Sequence, residues 1–144
     1  MPRCYMLTLA SSSSLDQQSN NVSLFNMVEQ INLPRGVEPP PGALLPLELH
    51  AYFQLAPQEL NQRFEMRFVL VASSGLETST DAYPHKSATL RFRTRTMGMP
   101  VPPIADSYEV RVDTRVAGTE HWTRDPLSWP LLVTLAEARP AVTH

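Results

Sequence analysis

Asn21–Pro34 reads NVSLFNMVEQINLP, and its conformation decides the fold class. As a helix, it would place Leu24, Val28 and Ile31 on one face at i, i+4 and i+7, joined by Phe25 and Met27, with Asn21 as cap and Pro34 as stop. A run of about twelve residues is marginal for a helix without tertiary support. As a strand, it sets Val22, Leu24, Asn26 and Val28 against Phe25, Met27 and Ile31. Apolar residues then fall on both faces, as in a strand that is covered on both sides or bulged. Asn20-Asn21 supplies the preceding turn, because Asn tolerates the left-handed conformation. The stretch is read as a strand, with Phe25 and Met27 on a face that a loop or a partner must cover.

The flanking runs alternate with period two, the signature of half-buried strands. LELHAYFQL puts Leu47, Leu49, Ala51, Phe53 and Leu55 against Glu48, His50, Tyr52 and Gln54. RFEMRFVLVAS turns Phe64, Met66, Phe68 and Leu70 inward, and Ser73-Ser74-Gly75 and the weaker strand LETST follow. ATLRFRTRT sets Phe92, Thr94 and Thr96 against Arg91, Arg93 and Arg95. SYEVRVDTRV sets Tyr108, Val110 and Val112 against Glu109, Arg111 and Asp113, and SWPLLVTLA aligns Trp129, Leu131, Val133 and Leu135. A short strand is expected near Trp122, after the Ala117-Gly118 turn. Fourteen prolines punctuate these runs, and Pro34–Pro46 reads as a stiff crossover because proline removes a backbone donor. Ser11–Ser14 reads as the start of a loop.

Seven or eight such strands predict an all-β protein: a single antiparallel β-sandwich, Ig-like or C2-like in architecture, over residues 1–136, with a C-terminal tail over 137–144. The immunoglobulin Cys…Trp…Cys spacing is absent, since Cys4 is the one cysteine. That cysteine count suits a reducing compartment. Arg3 and the short apolar run Cys4–Ala10 imitate a signal peptide only faintly, and a first strand is the better reading. No apolar run approaches the ~20 residues of a membrane-spanning helix. A soluble, cytoplasmic protein is expected. With a net charge of −2, the overall field neither favours nor excludes anionic partners.

The first half of the chain resembles an uncharacterised family of small bacterial β-sandwich proteins, a domain of unknown function. The residues that carry the resemblance are the strand YMLTLA, the polar turn DQQSNN, the run VSLFNMVEQI ending at Ile31-Asn32-Leu33-Pro34, and FEMRFVLVASSG. The family's glycine in the first turn is replaced here by Asn20-Asn21. The resemblance implies strands in these places and no assigned chemistry.

No nucleophile elbow, phosphate-binding loop, dinucleotide glycine motif or HExxH occurs, and Gly is scarce at five residues. His50, His85, His121 and His144 are far apart and form no local ligand pair, so neither a metal nor another cofactor is expected. The stripe Arg91, Arg93, Arg95, with Arg111, has the spacing to follow phosphates. A hairpin between ATLRFRTRT and SYEVRVDTRV would instead pair Arg95 with Glu109 and Arg91 with Asp113 across an ordinary solvated face, so nucleic acid is the weaker reading.

MGMPVPPIAD, the loop of that expected hairpin, carries Met97, Met99, Val101 and Ile104 on a frame stiffened by three prolines. Such a loop either packs on its own sheet or presents a preorganised contact. Trp122 is a further contact candidate, beside Phe25 and Met27. The function expected is therefore a non-catalytic module that binds a protein or self-associates through an apolar loop and a sheet edge. A small enzyme or ligand-binding site using His50, His121 and Asp125 is the alternative, and weak nucleic-acid binding is the second. The loop reading predicts that Met99→Asp with Ile104→Asp keeps the fold and abolishes partner capture or changes the oligomer mass, as read by pulldown and light scattering.

Overall fold

The computed structural model describes residues 1–36 and 38–136; the expected tail, 137–144, lies outside the described residues. The described chain is all-β, with eleven strands and one 3-10 turn at Pro57–Glu59. The strands are β1 (Arg3–Leu15), β2 (Val22–Met27), β3 (Gln30–Leu33), β4 (Leu44–Gln54), β5 (Phe64–Ala72) and β6 (Glu77–Ser79). They continue as β7 (Tyr83–His85), β8 (Arg91–Pro100), β9 (Asp106–Val116), β10 (Thr123–Arg124) and β11 (Trp129–Leu135). No helix among the described residues is long and apolar enough to cross a membrane.

Two sheets form, and neither is a closed barrel. The first has the order β2-β1-β4-β8 and is antiparallel throughout. The second runs β3-β11-β9-β5-β6, with β10 beside β9 and β7 beside β5. Its one parallel pair is β3 with β11. One apolar cluster joins the sheets. Leu7, Leu9, Leu49, Ala51 and Phe53 come from the first, and Met66, Phe68, Leu70, Val110, Val112, Leu131 and Val133 from the second. These are the faces that the alternation in β4, β5, β9 and β11 marked as inward. Burying each large apolar side chain contributes about 1.5–3 kcal/mol before entropy is counted.

The stretch Asn21–Pro34 is extended, but it is two strands in two different sheets. Val22–Met27 pairs antiparallel with β1, and Gln30–Leu33 pairs in parallel with β11. The break begins at Asn26, whose φ of 53° lies in the left-handed region that Asn tolerates. Its side-chain amide donates to Ser11 Oγ at 2.8 Å. Val28 then links the sheets: its N–H donates to the Leu9 carbonyl, and its own carbonyl accepts from Trp129 Nε1 at 2.8 Å. Apolar residues on both faces of the sequence thus reflect a change of sheet. Phe25 and Met27 remain uncovered, at 50% and 57% exposure.

Four further expectations are corrected. Ser11–Ser14 continues β1, because β2 pairs along it up to Leu15–Val22. The proline-rich crossover ends at Ala43, and Pro46 sits inside β4 at an irregularity between Leu45 and Glu48, the position where a strand tolerates proline. The strand count exceeds seven or eight because Asn21–Pro34 divides into β2 and β3 and Tyr83–His85 forms the unforeseen β7. Most consequentially, β8 and β9 form no hairpin: β8 pairs with β4 in the first sheet and β9 with β5 and β11 in the second.

The expected apolar loop is correspondingly shorter. Met97, Gly98, Met99 and Pro100 belong to β8, and of the expected loop only Val101–Ala105 lies between β8 and β9. Met99 is fully buried, whereas Met97 is 62% exposed and Ile104 43% exposed. Gly98 has φ +92°, and a Cβ there would stand 2.9 Å from Leu44 Cδ1, so glycine is required. Met99→Asp therefore buries an unpaired charge and is expected to cost more than about 4 kcal/mol. Met97→Asp is expected to change stability by less than about 0.5 kcal/mol. Urea unfolding of the two variants checks this contrast.

Candidate functional site

The richest polar cluster lies on the face of the first sheet that points away from the core. Register puts Thr8 beside His50, and His50 beside Arg95. The same register sets Ala10 beside Glu48 and Tyr52 beside Arg93. Alternation assigned Glu48 and His50 to an open surface, but both are 2% exposed. The cover comes from the β1–β2 hairpin. Its Ser13, Ser14, Leu15, Asn20 and Val22 enclose a cleft of about 320 Å³ against His50, Tyr52, Arg93, Thr94 and Arg95.

Glu48 organises the cleft floor. It accepts hydrogen bonds from Arg95 Nη2 at 2.8 Å, Ser13 Oγ at 2.7 Å and His50 Nε2 at 3.0 Å. The Arg95 bond is the first cause holding its carboxyl down to about 2, opposed by burial and helped by Ser13 and His50. Glu48 is thus a carboxylate at neutral pH, and His50 must carry its proton on Nε2 to donate to it. A carboxylate orienting a histidine is half of a nucleophilic triad. Ser13, however, donates to Glu48 and not to the ring. The cluster is suited to holding a ligand.

A groove of about 360 Å³ runs on the other side of β8, between the two sheets. Arg93–Met97 form one wall and Met66, Tyr83, Pro84 and His85 the other. Among the described residues nothing pairs with the outer edge of β8. His85 lies edge-on to Phe92 at 4.0 Å between ring centroids, and burial pushes its pKa down to about 4, so the ring is neutral at pH 7.

The sequence's candidate residues separate between these places. Arg91, Arg93 and Arg95 share one side of β8, bonded to Gln54, stacked over the Tyr52 ring at 5.5 Å, and bonded to Glu48 respectively. Arg111 belongs to the other sheet, where it holds the carbonyls of Asp125 and Leu127. The expected ion pairs of Arg95 with Glu109 and Arg91 with Asp113 are replaced, because Glu109 meets Arg111 and Asp113 meets Arg67 and Arg124. Trp122 is held within the chain by two cation–π contacts, with Arg67 at 4.4 Å and Arg115 at 4.0 Å from the ring centroid. Val101 lines a proline-rich hollow with Pro40, Pro41 and Pro103.

The alternative set His50, His121 and Asp125 does not converge. Asp125 is spent on the backbone N–H groups of Cys4 and Leu127, and His121 is exposed. Among the described residues no three His, Cys, Asp or Glu side chains gather as a metal site would require. The buried Cys4 thiol is pushed up to about 12, chiefly by desolvation, which suppresses the thiolate. The residues missed in the sequence are Glu48, Thr8 and Ser13. The available signal was Glu-x-His-x-Tyr on one strand face, since residues two apart on a strand are same-face neighbours.

Comparison with family models, with curated proteins and with solved structures returned no match.

Glu48 sets a pH signature. Its carboxyl titrates near 4.5 without these bonds and near 2 with them, so its contribution to stability is complete above pH 4.5 and vanishes as pH falls through 2. Glu48→Gln should flatten the loss of stability between pH 4.5 and 2 in urea titrations; identical acid limbs in both proteins would contradict this.

Proposed function

We propose that the chain is a β-sandwich of immunoglobulin-like arrangement that works as a non-catalytic interaction module, capturing an extended acidic segment of another protein by strand addition to β8. The order β11-β9-β5-β6 matches the G-F-C-C′ order of immunoglobulin sheets, with β4 and β8 in the places of the B and E strands and β1 interposed beside β4. This order favours the immunoglobulin-like over the C2-like arrangement.

The observation that carries the reading is β8 itself, a ten-residue strand at the end of its sheet order with Arg91, Arg93 and Arg95 in a row. Long exposed edges template pairing, and charged side chains limit which strands pair. Two copies joined antiparallel along β8 would bring two arginine rows together, which disfavours self-association by this edge. A segment with Asp or Glu at alternate positions meets the arginines. Its intervening apolar residues face the groove of Met66, Tyr83 and His85, and Met97 extends the apolar contact at the far end. Main-chain bonds then supply affinity and the alternate side chains specificity. Nucleic acid matches the charge but not the edge's row of backbone donors and acceptors.

The test is fluorescence polarisation with a labelled peptide alternating Glu and Val, its Lys-for-Glu counterpart and a single-stranded oligonucleotide. The acidic peptide should bind saturably, and Arg91→Glu with Arg93→Glu should weaken it at least about tenfold, or about 1.4 kcal/mol. Equal binding of the Lys peptide, preference for the oligonucleotide, or no saturable binding would each overturn the reading.

A further inference from the structure

The cleft on the outer face of the first sheet shares Arg93, Thr94 and Arg95 with the groove beneath β8, but the strand-addition reading gives no role to its other walls, from the β1–β2 hairpin, His50 and Tyr52. We propose that it is a binding site for a small hydroxy acid with a short alkyl tail.

The enclosure of about 320 Å³ is in the range of small-ligand pockets, and its polar groups converge from three strands and a turn. Arg93 is held over the Tyr52 ring and makes no ion pair among the described residues, so its guanidinium is available to a carboxylate. Arg95 stands beside it and is bound to Glu48, which is itself wrapped by Ser13 and His50. Two guanidiniums against one buried carboxylate leave the cleft wall positive.

His50 supplies the second point of recognition. In the neutral ring with Nε2–H on Glu48, Nδ1 keeps a lone pair and is the remaining polar atom of a ring that lines the cleft. That atom accepts a hydrogen bond from a ligand donor. Beside His50, Thr8 of β1 is 2% exposed, and its hydroxyl has no partner among the described residues. The polar cluster next to the cleft is therefore unsaturated, which folded proteins seldom leave without a ligand or an ordered water.

Charge selects the donor. An ammonium beside Arg93 and Arg95 is repelled, so the group that reaches His50 is a neutral hydroxyl, and the carboxylate of the same molecule takes Arg93. Leu15 and Val22 form the apolar wall against which an alkyl tail lies.

The probe is 2-hydroxy-4-methylpentanoate, titrated into the isotope-labelled chain with amide and histidine ring shifts as the readout. Its controls are 4-methylpentanoate, leucine and inorganic phosphate. The hydroxy acid should bind saturably, with shifts at Thr8, His50, Tyr52 and Asn20. The acid lacking the hydroxyl and the amino acid should each bind at least about tenfold more weakly, because each forfeits or repels one of the two contacts. Arg93→Gln, at an exposed position that leaves the core untouched, should reduce affinity by about the same factor. Equal binding of 4-methylpentanoate, equal binding of phosphate, an unaffected Arg93→Gln variant, or absence of saturable shifts would each overturn the proposal. None of these outcomes depends on the acidic-peptide assay.

Discussion

The architecture depends on the passage of the chain from one sheet to the other at Val28. Its N–H is bonded into the first sheet at Leu9, and its carbonyl is bonded to the indole of Trp129 from the second. Two residues later the same chain runs parallel to β11. Covalent continuity thus ties the β2 side of the first sheet to the β3 side of the second. On the opposite side residues 86–90 join the end of β7 in the second sheet to the start of β8 in the first. There β8 ends one sheet order, β6 and β7 flank the other, and the groove of Met66, Tyr83 and His85 opens between them.

Each sheet also buries one carboxylate on its outer face and satisfies it differently. Asp113, at 1% exposure, is held by Arg67 and Arg124, and Arg67 and Arg115 lie over the Trp122 ring on the same arginine-rich face, where Arg115 Nε has no partner among the described residues. Glu48 is equally buried, but its partners His50 and Arg95 line a cleft, and Thr8 beside His50 is unsatisfied. A buried carboxylate with a full set of donors stabilises locally, whereas one whose donors also face a cleft prepositions them for a ligand.

Much of the fold was legible in the residues. Alternation in β4, β5, β9 and β11 marked Leu49, Phe53, Phe68, Val110 and Leu131 as inward, and all are buried. Alternation specifies a face, however, and never a neighbour. Arg95 was therefore assigned to Glu109 on the next strand in sequence, although β8 lies against β4. The prolines after Met99 are a crossover between sheets and not a hairpin tip, which reversed the expected exposure of Met99. Glu48 and His50 were illegible as buried groups because their cover is the distant β1–β2 hairpin. The divided stretch Asn21–Pro34 carried its own clue in Asn26, since an asparagine amid apolar residues marks a left-handed break.

The central claim is that β8 is an open edge of the first sheet. Amide hydrogen exchange along Arg91–Pro100 tests it most directly. An open edge predicts alternation: amides bonded to β4 are protected, and those between them exchange at rates near those of an unstructured chain. Uniform protection along β8, at concentrations where the chain is a monomer, would show the edge to be covered and would contradict the account.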